Sequence, residues 1–272
     1  MMVTMSASEI STPAAPTRIA RTVAITSGKG GVGKTFFSAN LAAALSRQGL
    51  KVLVLDADLG LANLDVVLNL YPKITLHDVF TGKAELDEAI LPAPGGFSVL
   101  LAGSGLVEYS RLTPEVREQL QHIFEQVKPR FDVILIDTGA GISDVVLYAV
   151  SMAHEVIVVA TPEPTSMTDA YATIKVLSAQ QAREHLHLVI NQVARVGDGR
   201  TICHQLQQVV ERFVQGPTGV APKLGYLGDV PLDSSVREAV QKRQLLLELH
   251  PGSHAAQGVI QIATRLLARA QG

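Results

Sequence analysis

The sequence predicts an α/β fold: a mostly parallel, twisted sheet with helices on both faces. Three observations predict it. Short apolar runs alternate with longer helical stretches along the chain. Most of those runs are continuously apolar instead of alternating with polar residues, as in strands buried on both faces. Apolar residues make up 47% of the 272 residues, ample for a sheet covered twice. Alternation of this kind implies βαβ units with right-handed crossovers, and ligands in such sheets bind beyond the carboxyl ends of the strands.

The elements follow in order. Residues 22–26 (TVAIT) form the first strand, and a helix over 35–48 stops at Gly49. Residues 52–55 (VLVL) and 97–101 (FSVLL) are the next strands. A helix over 114–127 takes Thr113 as its cap and places Pro114 at its first position, where a missing N–H costs nothing. Strands at 133–136, 156–160, 186–190 and 224–227 then alternate with helices at 142–152, 168–181, 201–214 and 236–242, and a helix over 255–270 completes the set. No Pro/Gly/Ser linker, repeat or shift in composition interrupts this order. The expected organisation is a flexible tail over 1–20, rich in Ser, Thr, Ala and Pro, followed by one domain over 21–272.

Composition narrows the function. A formal net charge of -2 gives no global reason to expect nucleic acid or an acidic membrane as partner. Aromatics are 4% and Trp is absent, which argues against platforms for stacking single-stranded bases. The lone Cys203 excludes an internal disulfide or a CxxC metal site and reads as a small buried residue on a helix. The cytosol is the expected compartment. No apolar run approaches the roughly 20 residues that span a bilayer, and the first twenty residues have no apolar core of a signal peptide.

Residues 28–35 read GKGGVGKT, a full match to GxxxxGK[ST] between a strand and a helix. Gly28, Gly30, Gly31 and Gly33 let the backbone around Val32 turn tightly and aim N–H groups at an anion, and the helix beginning near Thr35 adds its positive end. Lys34 is placed to reach the β- and γ-phosphates, and the Thr35 hydroxyl to meet Mg²⁺. The expected ligand is therefore Mg²⁺ with a nucleoside triphosphate, and the fold is that of a P-loop NTPase. A second lysine, Lys29, follows the first glycine; the ordinary loop does not specify it.

Two strands run into carboxylates: 52–55 into Asp56 and Asp58, and 133–136 into Asp137. Asp137 fits a Mg²⁺-holding role. Asp56 and Asp58 are two apart and would share one side of an extended strand end. Asp56 is assigned to Mg²⁺ or Lys34, and Asp58 to the attacking water. Gly139 and Gly141 permit a loop that responds to the γ-phosphate.

GKGGVGKT with Lys29, DADLGLANLD over 56–65 and DTGAG over 137–141 together resemble the deviant-Walker-A ATPases of the MinD/ParA type, over essentially all of 21–270. Within that group the chain looks most like the FleN/FlhG branch that regulates flagellar number and placement. DADLGLANLDVVLNL, DTGAGISD ending at Asp144, EPTSMTDAYATIKVL over 163–177 and GDVPLDSSVREAVQKRQ over 228–244 carry that likeness. The resemblance implies a slow ATPase in which ATP joins two subunits as a homodimer and hydrolysis resets them. Lys29 would cross to the partner's phosphates, Asp58 would orient water beside Asn63, and Asn191 would read the adenine edge. The segment 229–233, with Pro231 and Asp233, would line the base pocket. It implies a flagellar GTPase, a switch component or a transcriptional activator as partner.

The 255–270 helix carries an apolar stripe of Val259, Ile262, Ala263, Leu266 and Leu267. Packing on the core is the favoured reading, an interfacial membrane helix the other. The expected location is cytoplasmic, with peripheral association at the inner membrane left open. Alternative functions are a DNA-partitioning ATPase of the ParA kind, disfavoured by the near-neutral charge, a switch for another membrane-associated secretion machine, and a metabolic or redox enzyme on the same fold.

Overall fold

A computed structural model describes residues 19–59, 63–103 and 112–268. Its centre is a sheet of eight strands in the order β3-β4-β2-β5-β1-β6-β7-β8. The strands are β1 (Arg21–Ser27), β2 (Val52–Ala57), β3 (Ile90–Pro92), β4 (Ser98–Leu100), β5 (Val133–Ala140), β6 (Glu155–Ala160), β7 (His185–Val193) and β8 (Lys223–Pro231). All pairings are parallel except β3 with β4. The chain leaves β1 toward β2 on one side and later crosses from β5 to β6 on the other. This reversal opens a crevice at the carboxyl end of β1, where α/β sheets hold their ligands.

Strand residues alternate between two cores. Leu53, Leu55, Ile134 and Ile136 face one, closed by helices α5 (Pro114–Val127), α6 (Asp144–Ser151), α7 (Pro164–Gln181) and α8 (Asp198–Phe213). Val52, Val54, Val133 and Leu135 face the other, closed chiefly by α1 (Lys34–Ser46), α9 (Ser234–Lys242), α10 (Leu246–Leu249) and α11 (His254–Ala268). Short helices α2 (Leu64–Leu68), α3 (Leu76–Phe80) and α4 (Leu86–Ala89) fill the stretch before β3. Cys203 is buried in the first core, as its reading as a small apolar residue requires.

α11 settles one alternative. Its stripe of Val259, Ile262, Ala263 and Leu266 is buried, facing β8 and α1, so it is part of the core and is not offered to a membrane surface. Among the described residues no helix is long and apolar enough to cross a membrane. The tail expected over 1–20, Gly60 of the post-β2 loop, and residues 269–270 of the last predicted helix lie wholly or mostly outside the described residues.

At the amino ends of the central strands, Arg21 Nε and Nη2 donate to the two oxygens of Glu155 at 2.5 and 2.7 Å, and the His187 ring lies 3.2 Å from the same carboxylate. Burial pushes the Glu155 carboxyl up, but the hydrogen bonds from His187 and Arg21 and the Arg21 charge outweigh it and hold it at about 2. The folded value is below the ordinary 4.5, so this stabilisation is complete above 4.5 and is lost as pH falls toward about 2. Glu155→Gln is expected to lower the melting temperature near neutrality, with the gap to the parent closing across that acid window in thermal melts. A gap independent of pH would remove the ionic account.

Candidate nucleotide site

α1 starts with its amino end against the crevice. Gly33 caps it at φ 87 and Gly31 lies at φ 80, both left-handed conformations that favour glycine. Lys29, Gly30, Gly31, Val32, Gly33, Lys34 and Thr35 line a cavity of about 690 Å³, faced by Asp58, Asn63, Gly139 and Ala140 from the loops after β2 and β5. Gly28 does not line it. A Cβ there would sit 2.2 Å from the Asp169 carbonyl oxygen, so glycine is what lets α7 press on the start of the loop.

Lys34 is 8% exposed; its ammonium donates to the Thr138 carbonyl and lies 3.7 Å from Asp137 Oδ1. Asp137 also accepts from Ser38 Oγ at 2.9 Å and from the Thr35 hydroxyl. Ser38 escaped the sequence reading, although a serine one helical turn beyond Lys34, on the same face, was its signal. Asp56 and Asp137 are register partners on adjacent strands. Their parity with Val54 and Leu135 puts both side chains on the α1 side of the sheet. Each is 1% exposed. Burial raises both carboxyls, Asp56 well above its usual value with Asp137's charge as the next cause, while Lys34, Thr35 and Ser38 pull Asp137 partly back.

Asp56 Oδ2 is buried with no hydrogen-bond partner, so two adjacent buried acids share too little positive charge. A divalent cation fits this donor set of two carboxylates and the Thr35 hydroxyl. Neither acid lines the phosphate cavity: Asp137 reaches it through the Thr35 hydroxyl, and Asp56 lines a third cavity of about 450 Å³ with Asp65 and His77.

The expectation that Asp56 and Asp58 share one side of an extended segment needs correcting. β2 ends at Ala57, and the Asp58 N–H donates back to Asp56 Oδ1 at 3.1 Å, which closes a turn. Asp58 is thereby carried away from the buried acid pair and onto the cavity wall beside Gly139, whose Cβ position is 3.4 Å from Asp58 Oδ1.

Lys29 Nζ contacts Glu163 Oε2 at 3.0 Å and Thr165 Oγ1 at 3.1 Å, at the start of α7. These partners lie 134 and 136 residues away in sequence, beyond any local pattern. A second cavity of about 560 Å³ adjoins the first through Gly33 and Phe36 and is lined by Asn191, Val230, Pro231, Leu232 and Asp233. Phe37, Val236 and Val259 give it apolar walls suited to a base. Asp233 forms part of the wall, but its two oxygens cap Ser235 N at 2.9 Å and Ala255 N at 3.2 Å. Asp229 does not join it: its Oδ2 accepts from Gly197 N and Gly199 N at 2.8 and 3.2 Å and anchors the start of α8. The expected pocket segment is thus shortened to 230–233.

Residues 18–267 match the ParA family, described as NUBPL iron-transfer P-loop NTPase. The chain is 44% identical over 234 residues to antiactivator FleN of Pseudomonas aeruginosa, covering 86% of this chain and 81% of that protein. It is 34% identical over 249 residues to the flagellum site-determining protein YlxH of Helicobacter pylori, covering 91% and 82%. The septum site-determining protein MinD of Pyrococcus horikoshii, solved with Mg-ADP, superposes with a TM-score of 0.74 at 29% identity over 93% of this chain and 99% of that one.

Proposed function

This chain belongs to the ParA/MinD family of P-loop NTPases, and on that premise we propose that it is a regulatory ATPase switch that dimerises on Mg·ATP, hydrolyses it slowly and acts on flagellar number, placement or synthesis. The carrying observation is one cavity lined by both Lys29 and Lys34, with Asp58 on the facing wall and Lys34 tied to Asp137, the register partner of Asp56. The triphosphate takes the first cavity and the adenine the second, with Gly33 at the join. Lys34 binds the β- and γ-phosphate oxygens. Thr35, Asp137 and Asp56 would hold Mg²⁺, which neutralises charge on those oxygens. Asp58 orients the attacking water; the water oxygen bonds to the γ-phosphorus as the bond from that phosphorus to the β,γ-bridging oxygen breaks, the water's proton leaves with the released phosphate, and ADP remains.

Lys29 sits at the cavity mouth, and its ion pair with Glu163 is exposed at 40% and 63%. Exposed pairs of this kind contribute at most about 1 kcal/mol, so releasing the lysine costs little. Once released, it is free to reach a second copy's phosphates and neutralise charge that develops in transfer. ATP then sets a dimer that partners read, and hydrolysis ends the signal. The names of the two relatives, an antiactivator and a flagellum site-determining protein, support a transcriptional activator or another flagellar component as the partner, a flagellar GTPase or switch component being candidates of the second kind.

Sedimentation with Mg·ATP tests the switch. The parent is expected to become a dimer, while Lys29→Ala binds ATP but needs at least ~10-fold more protein to dimerise, the loss of about one charge-assisted contact. A parent that stays monomeric with ATP bound, or a variant that dimerises normally, refutes the crossing lysine.

A further inference from the structure

The second cavity meets the phosphate loop at one side chain. Asn191, near the end of β7, donates from Nδ2 to the Val32 carbonyl at 2.7 Å. Its Oδ1 accepts from the Gln192 N–H at 2.9 Å. These partners fix the amide's orientation: flipped, it would set nitrogen against an N–H and oxygen against a carbonyl. Gln192 lies in the left-handed region at φ 60, where β7 slips register against β8, so the strand is locally bent at this residue. The contact with the loop is close. A Cβ on Gly33 would lie 2.5 Å from Asn191 Nδ2.

The Val32 carbonyl and the Gly33 N–H belong to one planar trans peptide and point in opposite directions. A carbonyl held outward on Asn191 therefore holds the Gly33 N–H the other way, toward the phosphate side of the loop. Gly33 is at φ 87 and can also occupy negative φ at little cost, so this peptide is unusually free to turn over. Turned over, it would present a carbonyl oxygen to an anion. Resting on the nucleotide-site reading, we propose that Asn191 is a positioning residue that locks the Val32–Gly33 peptide in its anion-binding orientation, so that it acts on phosphate as well as on the base. The same amide retains one N–H and one oxygen lone pair for the base edge. Filling the base pocket then reinforces the loop through a single side chain.

Inorganic tripolyphosphate, which has no base, separates the two roles. Binding of tripolyphosphate and of ATP to the parent, Asn191→Ala and Asn191→Leu is measured by calorimetry with Mg²⁺ present, and folding is checked by circular dichroism. Asn191→Leu keeps the volume and adds no charge beside the anion but loses the donor to Val32, so it carries the test should the alanine variant fold poorly. Both variants are expected to lose at least ~10-fold in affinity for tripolyphosphate as well as for ATP, the scale of one charge-assisted hydrogen bond. The Gly33 HN–Hα couplings of ligand-free Asn191→Leu, which report φ, are expected to move from their parent values, which decides the matter where tripolyphosphate binds too weakly to measure. Loss of ATP affinity alone, with tripolyphosphate binding and the Gly33 couplings unchanged, reduces Asn191 to a base reader and overturns the proposal. A parent that binds no ATP overturns the nucleotide reading itself.

Discussion

Replacing Lys34 with alanine is expected to weaken Mg·ATP binding by at least ~100-fold, about 3 kcal/mol, which lies within the range for truncating one partner of a buried charged contact. The magnitude follows from where the ammonium sits. It is almost fully enclosed, between the Thr138 carbonyl and Asp137, at the floor of the phosphate cavity. The substitution also removes a cation that lowers both Asp56 and Asp137, so those carboxyls shift further toward their neutral forms and become poorer partners for a metal ion. The effect on nucleotide therefore exceeds the loss of one contact. Calorimetry on the folded variant measures it, and affinity within threefold of the parent is the result that removes Lys34 from the site.

Asp58→Ala is expected to slow turnover by roughly 10²–10³-fold while leaving ATP affinity nearly intact, the usual scale for deleting a positioned general base or water-holding group. The turn from Asp56 to Asp58 explains why the two properties separate. Asp56 stays in the buried acid pair, and Asp58 faces the cavity beside Gly139. Removing Asp58 leaves the phosphate loop, Lys34 and the acid pair in place. The ATP-bound dimer should accumulate, since the step that ends it is blocked. Single-turnover hydrolysis and sedimentation on the same sample check both halves. Unchanged hydrolysis assigns the water to another group.

The central strands, the phosphate loop and the acids at the strand ends were legible because each is written in contiguous residues. β2 alternates core faces yet is apolar from Val52 to Leu55, and GKGGVGKT carries its own geometry in its glycines. The stretch between β2 and β4 was not legible. α2, α3 and α4 have four or five residues each, too few for a helical period to register, and β3 is a three-residue strand that ends in proline. α7 starts at Pro164, four residues before the expected position, because proline suits a first helical turn that the reading assigned to loop. At the site, residue types were readable but their partners were not. The contacts from Lys29 to Glu163 and from Asn191 to Val32 join residues more than 130 positions apart, and only the stacking of strands brings them together. Asp229 and Asp233 look equivalent in sequence, yet one anchors α8 and the other caps α9.

α1 is enclosed along most of its length: Phe37 to Leu45 is buried without a break, held between the sheet and α11. A helix wedged in this way cannot tilt or slide when the nucleotide changes without disrupting a close-packed interior. On the proposed ATP cycle it would be a stationary post, and motion between the nucleotide forms would fall to the thinner coverings around it, so that the signal is carried at the rim while the anchor stays still.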